Sequence, residues 1–273
     1  VGDGVSQVAV GDRVTMTHYS RWLDGPWDVS MREQDFAHTR DGFLCELAVV
    51  PAAALIRIPE PISYEEAGTL PSAGLTAWQA VVEAGRLRPG ETMVTIGTGG
   101  VSVFAAQWAR MLGARVIVTS SSDAKLERMK QLGADEGINY RTHPNWYERV
   151  LQLTGGRGAD LVVNNVGMPE LDQCLEACAS GARIMYVGAS PVTADRQALA
   201  PVVPRRLGLL ILRDLTLKGI IVGSRRMFET MMNKMVEHEV HPVIDRRFDF
   251  KDANDALAYA ATGEKIGKVE IRL

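Results

Sequence analysis

An α/β fold built on a doubly wound parallel sheet is predicted by two features of this chain. From about Thr76 to Val222, short apolar runs alternate with segments of helical periodicity, the pattern of strands joined by covering helices. A glycine-rich turn joins the first of these strands to the first helix. With 273 residues, the chain is long enough for such a sheet and a second, smaller domain.

The first strand, turn and helix give the strongest local signal. Met93 to Ile96 is short and apolar, as a buried parallel strand requires. Helical periodicity begins at Val101, Gly113 ends it, and a second strand follows at Arg115 to Thr119. The residues expected on the buried face of this helix are Val101, Phe104, Ala105, Trp108, Met111 and Leu112.

The turn between this strand and helix has the sequence GTGGVS and is typical of a dinucleotide phosphate site. Gly97 permits a tight turn, Gly99 lets a pyrophosphate approach the backbone, and Ser102 is small enough for close helix packing. The free N–H groups and the dipole of the helix favour a phosphate. Such turns also occur for packing alone, but the strand before it, the helix after it and the second strand that follows favour binding. The predicted contacts are Gly97, Thr98, Gly99, Gly100, Val101 and Ser102.

The residues after the second strand favour NADP(H) over NAD(H). A NAD site usually places Asp or Glu there, to bind the ribose 2′-hydroxyl. This chain instead has Ser120, Ser121 and Ser122, with Lys125 one turn into the next helix. Hydroxyl and ammonium groups complement a 2′-phosphate. The alternative is that Ser122 only caps the helix, and an inward-facing Asp123 would oppose the phosphate.

The remaining predicted elements complete the sheet. Strands are expected at 137–140, 160–165, 183–188 and 215–222, and helices at 123–132, 145–153 and 169–179. Residues 189–213 are expected to be mostly loop, with a short apolar stretch at 207–212. Ligands bind beyond the carboxyl ends of parallel strands. The strand-end residues predicted to line one crevice are Asn165, Val166, Gly188, Ala189, Val222, Gly223 and Ser224.

The two flanks of this region have a different composition. Short β-rich pieces are expected near residues 8–14 and 44–50, followed after residue 240 by a strand, a helix at 252–262 and a last strand at 268–273. Neither flank can bury a core alone. The chain is therefore predicted to divide into residues 1–75 and 240–273, which form one smaller domain, and residues 76–239, the nucleotide-binding domain.

Composition narrows the class of protein. The net charge is −3 and the pI is about 6.0, so no nucleic-acid surface is expected. No apolar run approaches the roughly 18 residues of a membrane span. Cys45, Cys174 and Cys178 are too few and too scattered for a disulfide framework, which predicts a reducing, cytoplasmic setting.

Nine sequence blocks in order resemble the medium-chain dehydrogenase/reductase superfamily. They are most similar to its zinc-independent alcohol-dehydrogenase-like and quinone-oxidoreductase-like members. The resemblance implies a Rossmann domain, a smaller GroES-like β domain and NAD(P)-linked hydride transfer. The blocks are GDRV (11–14), LPSAGLTAW (70–78), IGTGGVS (96–102), INYR (138–141), LTGGRGAD (153–160), VVNNVG (162–167), LKGIIVGSR (217–225), HPVIDR (241–246) and GKVEI (267–271).

The resemblance also implies further cofactor contacts. Thr76 matches a threonine beside the nicotinamide, and Gly223 with Ser224 matches the strand end on the nicotinamide side. Tyr140 matches a tyrosine near the adenosine phosphate, and Lys268 a basic residue that reaches the cofactor phosphates. Structural alternatives are a helix-entry hydroxyl for Thr76, core packing for Tyr140 and a surface charge for Lys268.

Two departures from the family pattern bear on chemistry. Zinc-dependent members have a cysteine ligand where this chain has Ser72, and the structural zinc loop needs four cysteines where the flank has Cys45 alone. No metal site is therefore predicted. The resemblance also implies a segment before the GDRV block, so we expect the GroES-like domain to be incomplete, and no catalytic acid is assigned.

The sequence thus predicts an NADP(H)-dependent oxidoreductase that transfers hydride to or from a carbonyl, enone or quinone without zinc. Two alternatives remain open: an NADP-binding module that lacks activity, and an S-adenosylmethionine methyltransferase, which also has a glycine turn. The predicted edge strand at 215–222 could pair across a two-fold axis, which predicts a homodimer.

Overall fold

A computed structural model of the protein describes residues 1–188 and 204–273. Contacts divide the chain into two compact units. The first comprises Val1–Thr76 and Val222–Leu273, and the second comprises Ala77–Ile221. The predicted division into residues 1–75 with 240–273 and residues 76–239 stays a prediction.

The second unit is built on a parallel sheet, as the alternating pattern predicts. Its described strands are β3 (Thr92–Ile96), β4 (Arg115–Ser120), β5 (Glu136–Asn139), β6 (Ala159–Asn164), β7 (Cys178–Tyr186) and β8 (Thr216–Gly219). They lie in the order β5-β4-β3-β6-β7-β8, and every neighbouring pair is parallel. The strand order therefore reverses between β3 and β6, the place where sheets of this kind bind ligands.

Helices connect these strands and cover the sheet. They are α3 (Gly100–Met111), α4 (Asp123–Gln131), α5 (Trp146–Leu153), α6 (Leu171–Ala177) and the short α7 (Gly208–Leu212). All five residues of β3 are buried, and Val94, Val162 and Ile184 are fully enclosed in the core. A central strand must be apolar on both faces when helices cover both.

The predicted buried face of α3 is only partly right. Phe104, Ala105 and Trp108 are buried as predicted, but Val101 and Met111 are half-buried. The helix also buries residues outside that face, namely Ser102, Val103, Ala106 and Ala109. The ring of Trp78 meets Trp108 edge-on at 5.4 Å, so α3 packs between the sheet and the segment that contains Trp78. A helix covered on two sides does not show the single apolar stripe of a surface helix.

The first unit contains shorter elements. Its strands form two pairs, the antiparallel β1 (Val14–Met16) with β2 (Leu55–Arg57) and the parallel β9 (Ile244–Asp249) with β10 (Lys268–Arg272). Its helices are α1 (Tyr64–Thr69), α8 (Arg225–Glu237) and α9 (Ala253–Ala261). A helical segment, α2 (Leu75–Trp78), spans the boundary between the units and lies between two π-helical turns, Leu70–Gly74 and Gln79–Glu83.

Several predicted elements differ from the structure. The β-rich piece expected at 44–50 is not a strand, and Leu47 and Val49 are almost fully exposed. A strand needs a neighbouring strand to satisfy its backbone groups, which an apolar sequence alone does not supply. The last strand of the sheet is shorter than the predicted 215–222, and Gly188 lies beyond β7. Of the predicted loop at 189–213, residues 189–203 lie outside the described residues.

The edge position of the last strand agrees with the prediction. Strand β8 lies at the edge of the sheet, as predicted, and all four of its residues are exposed. The homodimer itself stays a prediction. Among the described residues, no helix has the length and apolar character needed to cross a membrane.

Candidate functional site

The glycine turn after β3 has the geometry that the sequence predicts. Gly97 has a φ of +83°, in the region that favours glycine, and its N–H donates to the Thr119 carbonyl on β4 at 2.9 Å. Gly99 is the N-terminal cap of α3, and a Cβ built there would meet nothing within 4 Å. The backbone at Gly99 therefore borders open space, which a phosphate group needs in order to approach it.

The first turn of α3 supplies hydrogen-bond donors beside that space. The N–H groups of Gly100, Val101 and Ser102 have no acceptor within the helix, because they belong to its first turn. Thr98 is buried, so its side chain belongs to the turn rather than to an open surface. The positive end of the helix dipole adds to the attraction for an anion. The turn therefore has the donors that a pyrophosphate needs, and the contact with a pyrophosphate stays a prediction.

Ser102 does more than provide a small side chain. Its hydroxyl donates to the carbonyl of Ile96 at 2.8 Å and accepts a hydrogen bond from Asn165 Nδ2 at 2.8 Å. Asn165 follows β6, so this pair joins the ends of the two strands between which the strand order reverses. The Asn165 side chain thus stabilises the glycine turn. It could therefore act on a cofactor by positioning this turn and not by direct contact.

Sequence reasoning missed the neighbouring Asn164, which shapes the end of β6. Its fully buried side chain accepts from the N–H groups of Val166 and Gly167 and donates to the Gly167 carbonyl, at 2.8–3.1 Å. Val166 is exposed beside this turn. A Cβ at Gly188 would lie 2.2 Å from the Asn165 carbonyl oxygen, so the next strand end approaches too closely for any side chain. The predicted crevice residues Asn165, Val166 and Gly188 are therefore brought together, whereas Ala189 lies outside the described residues.

The three serines after β4 have different environments. Ser120 is buried and accepts from the N–H of Ser122, and Ser122 is the N-cap of α4, accepting from the N–H of Lys125 at 3.4 Å. Ser121 is half-buried, and its hydroxyl has no hydrogen bond to another described residue. The capping interpretation is thus right for Ser122, while Ser121 is the serine left for a ligand. The Lys125 side chain is half-exposed on the first turn of α4.

The Asp123 carboxylate has a hydrogen-bond partner at the end of β5. It accepts from Asn139 Nδ2 at 2.8 Å, so the charge is directed toward the end of β5. The Tyr140 N–H donates to the Ser120 carbonyl at 3.0 Å, which places Tyr140 beside the serine run. The Tyr140 side chain is 39% exposed, so core packing does not explain it.

The residues predicted on the nicotinamide side lie in the first unit, and two of them are brought together there. Gly223 has a φ of +155°, and a Cβ on it would lie 2.7 Å from the side chain of Leu75, the residue before the buried Thr76. Val222 is half-buried next to it. Ser224 is fully buried and caps α8 by accepting from the Met227 N–H at 3.2 Å, so its hydroxyl has a structural role.

A second observation restricts the N-terminus of α8. The N–H groups of Arg225 and Arg226 donate to the carbonyls of Trp22 and Leu23, at 2.9 and 3.0 Å. These two N–H groups are therefore already bound to the loop that contains Trp22. The first turn of α8, unlike that of α3, does not offer them to a phosphate.

Lys268 lines a cavity of about 610 Å³ in the first unit. Burial lowers the pKa of its ammonium group, and the charge of Lys265 lowers it further. The cavity wall also includes Thr69 and Ser72, together with His18 from the segment after β1. The structure therefore does not place Lys268 as a plain surface charge, and its predicted contact with the cofactor phosphates remains a prediction.

The residues that border this cavity do not fit a zinc ion. A catalytic zinc site needs three Cys, His or carboxylate ligands around one point. Ser72 stands at the position that would supply a cysteine, and Cys45 lines a different cavity. In the described part of the chain, no group of three such side chains could hold a metal ion.

The doubly wound sheet, with its glycine turn and helix N-terminus at the strand-order reversal, defines a Rossmann-type fold. Residues 100–237 match the sequence profile of the zinc-binding dehydrogenases. The chain is 36% identical over 276 residues to a zinc-type alcohol dehydrogenase-like protein of Schizosaccharomyces pombe, covering 100% of this chain and 78% of that protein.

Two solved structures are similar as well. One is an NAD-dependent alcohol dehydrogenase, with 33% identity, a TM-score of 0.84 and coverage of 100% of this chain and 79% of the other. The second is the quinone oxidoreductase of Thermus thermophilus, described also in complex with NADPH, with 32% identity, a TM-score of 0.70 and coverage of 86% and 74%.

The chain belongs to the zinc-binding dehydrogenase family, and with it to the medium-chain dehydrogenase/reductase superfamily of oxidoreductases, among its alcohol-dehydrogenase-like and quinone-oxidoreductase-like members. The resemblance stated from the sequence blocks is thereby confirmed. Membership of an oxidoreductase family contradicts the methyltransferase alternative.

Proposed function

We propose that this protein is an NADP(H)-dependent oxidoreductase that transfers hydride to or from a carbonyl, enone or quinone without zinc. The observation that carries the proposal is the pairing of an open glycine turn with the Ser121–Lys125 segment at adjacent strand ends. The first complements a pyrophosphate. The second complements a 2′-phosphate, since hydroxyl and ammonium groups bind phosphate oxygens and the Asp123 carboxylate accepts from Asn139.

Each part of the cofactor has candidate ligands in the chain. The N–H groups of Gly100 to Ser102 would bind the pyrophosphate, and Ser121, Lys125 and Tyr140 the adenosine phosphate. On the nicotinamide side, the candidates are Thr76 and the backbone of Gly223. The nicotinamide supplies or accepts the hydride when it is bound. The protein contributes by holding the two reacting carbons in position and excluding water.

The absence of a fitting metal site among the described residues favours conjugated substrates. Without a metal, hydrogen bonds or a proton must stabilise the negative charge that develops on the substrate oxygen. An enone or quinone spreads this charge over several atoms and needs less stabilisation than a simple ketone. We therefore place enones and quinones ahead of simple alcohols as the substrate class.

Titration with both cofactors tests the assignment. Fluorescence quenching should give tighter binding for NADPH than for NADH, by at least tenfold, because a charge-assisted phosphate contact contributes about 1.5–3 kcal/mol. The double variant Ser121→Ala/Lys125→Ala should lose most of that preference while its affinity for NADH stays the same. Lys130→Ala, which removes an exposed lysine from the same helix, is the matched control.

Turnover tests the enzymatic part separately. NADPH oxidation would be followed with 1,4-benzoquinone, 2-cyclohexen-1-one and butanal, and NADP⁺ reduction with butanol. Turnover with any of them supports the oxidoreductase assignment. Tight NADPH binding with no turnover would support the NADP-binding module instead, and equal affinity for NADH and NADPH in the wild type would refute the cofactor preference.

A further inference from the structure

An imidazole at the wall of the 610 Å³ cavity in the first unit lies close to a buried carboxylate behind that wall. His18 lines the cavity, and its Nδ1 atom lies 3.8 Å from Asp35 Oδ1. The Asp35 side chain is only 4% exposed. A carboxylate buried to this degree needs charged or hydrogen-bonding partners, since burial of an unpaired charge is costly.

The two oxygens of Asp35 are used differently. Oδ2 lies 3.2 Å from Nδ1 of His38, whose side chain is 65% exposed and does not line the cavity. Oδ1 is buried and has no hydrogen-bond partner among the described residues, and it is the oxygen that faces His18. The distance of 3.8 Å exceeds a hydrogen bond, but such catalytic contacts are often long before the substrate binds and tighten afterwards.

The backbone holds this pair in place. Tyr19 and Asp35 form an antiparallel bridge, in which the Phe36 N–H donates to the His18 carbonyl at 3.0 Å. Nδ1 is the ring nitrogen of His18 that lies nearer Asp35, so Nε2 is the nitrogen assigned to the substrate. A carboxylate beside one nitrogen of an imidazole at a cavity wall is the arrangement of a general base or acid.

We propose that His18, oriented by Asp35, exchanges the proton of the substrate oxygen in this cavity. The inference rests on the proposed hydride transfer, and it supplies the proton-transfer residue which that reaction lacks. The cavity also borders Ser72, four residues before Thr76 on one helical segment, so the candidate nicotinamide-side threonine lies about 6 Å along the helix axis.

The step balances in both directions. In oxidation, the alcohol O–H bond breaks and its proton passes to Nε2 of His18, while the C–H bond breaks and both its electrons leave with the hydride to NADP⁺. The oxygen electrons form the new C=O bond. In reduction, hydride from NADPH enters the carbon, the π electrons move to oxygen, and the His18 imidazolium returns the proton.

The protonation state of His18 agrees with the role of a base. Burial lowers the pKa of this imidazole below its ordinary value by more than the Asp35 carboxylate raises it, so neutral His18 prevails at pH 7. The other titratable groups near it include His38, which lowers its pKa further, Tyr19, whose ring centroid lies 6.3 Å from that of His18, and Lys268 on the same cavity wall.

Two variants test the assignment by turnover. His18→Gly should lower kcat by about 10²–10⁴-fold, the range for loss of a general acid or base, and added imidazole should restore part of the rate. His38→Asn is the matched control, since it removes the exposed partner of the same carboxylate, and its kcat should stay within about twofold. NADPH affinity should be unchanged in both variants, which shows that they are folded.

A readout independent of turnover uses NMR titration of the histidines without cofactor. The His18 signal should titrate below the ordinary value, and Asp35→Asn should lower its pKa further because the neighbouring carboxylate is lost. Equal kcat for His18→Gly and wild type, no rescue by imidazole, or a His18 titration that ignores Asp35→Asn would overturn the proposal. If the wild type lacks turnover, the proposed function fails and this proposal fails with it. Wild-type turnover with unaffected His18→Gly removes only the role of His18.

Discussion

Asn165 Nδ2 lies 2.8 Å from Ser102 Oγ, and the same hydroxyl donates to the Ile96 carbonyl at 2.8 Å. This relationship joins the end of β3, the start of α3 and the end of β6 through one buried oxygen. Ser102 occupies a position of the glycine-turn motif where only a small residue fits, and in this chain its hydroxyl also makes two hydrogen bonds. The glycine turn is stabilised from the neighbouring strand as well as by its own backbone.

Ser102→Ala should loosen this junction. It removes the donor to Ile96 and leaves Asn165 Nδ2 with only longer contacts, to Thr95 Oγ1 at 3.3 Å and the Ile96 carbonyl at 3.4 Å. We expect a loss of about 1–3 kcal/mol in the free energy of unfolding, the cost of leaving buried polar groups unpaired. Urea denaturation measures it, and NADPH affinity should fall as well. Ser180→Ala, at an exposed serine on β7, is the control; equal stability of the two variants would contradict the prediction.

The serine run should separate into structural and binding roles. Ser122→Ala removes the α4 cap and should lower stability by about 1 kcal/mol, with little change in cofactor preference. Ser121→Ala should do the reverse, lowering NADPH affinity without altering the melting temperature, because its hydroxyl has no partner among the described residues. Thermal melts and NADPH titrations on both variants check this, and loss of stability in Ser121→Ala would count against it.

These two serines show where sequence reasoning succeeds and where it ends. The pattern of a strand, Gly97, Gly99 and a helix predicts the turn correctly, because steric and dipole effects act within a few residues of the chain. The sequence also names Ser122 as the α4 cap, but it cannot say which serine is left for a ligand, because that depends on side-chain direction at the strand end. The predicted α3 face fails for a related reason, since the packing of Trp78 against Trp108 joins segments far apart in sequence.

Side-chain and backbone contacts that no pattern encodes account for the other misses. The role of Asn164 depends on the local turn at Gly167, and the need for glycine at position 188 depends on the approach of the distant Asn165. The pair of His18 with Asp35 spans a loop, and its spacing matches no motif. The expected strand at 44–50 shows the opposite error, because an apolar run without a neighbouring strand does not form a ladder.

Gly158→Ala should be strongly destabilising, because two effects combine at this position. Its φ is +89°, and a Cβ there would lie 2.6–2.7 Å from backbone atoms of Ala177, Cys178 and Ala179. Gly155 in the same turn also has a positive φ, +62°, but a Cβ on it meets nothing within 4 Å. We expect about 1–2 kcal/mol of destabilisation for Gly155→Ala from backbone strain alone, and at least about 3 kcal/mol for Gly158→Ala. Chemical denaturation measures both losses. Similar losses for the two variants would contradict the prediction, because they would mean that the backbone around position 158 moves to make room for the Cβ.

Asp160 should make the stability of the second unit sensitive to acid. Its carboxylate accepts two hydrogen bonds from Arg157 at 2.6 Å each and one from the Thr92 N–H at 2.8 Å, so it connects β6 to the start of β3. Burial raises the pKa of this carboxyl, but the hydrogen bonds from Arg157 and Thr92 outweigh that effect, and the pKa is lowered overall.

The sign of the pH dependence follows from this lowered pKa. A carboxyl whose pKa is lower in the folded state contributes its full stabilisation above the unfolded value of about 3.9, and loses it as the pH falls through the folded value. Asp160→Asn should therefore be less stable than wild type by about 1–3 kcal/mol at pH 7, and the difference should shrink below about pH 4. Urea denaturation from pH 7 to pH 3 measures the difference, with Glu127→Gln, at an exposed carboxylate on α4, as the control. If the difference in the free energy of unfolding between Asp160→Asn and wild type stays constant down to pH 3, the pKa of Asp160 does not change on folding and the prediction is wrong.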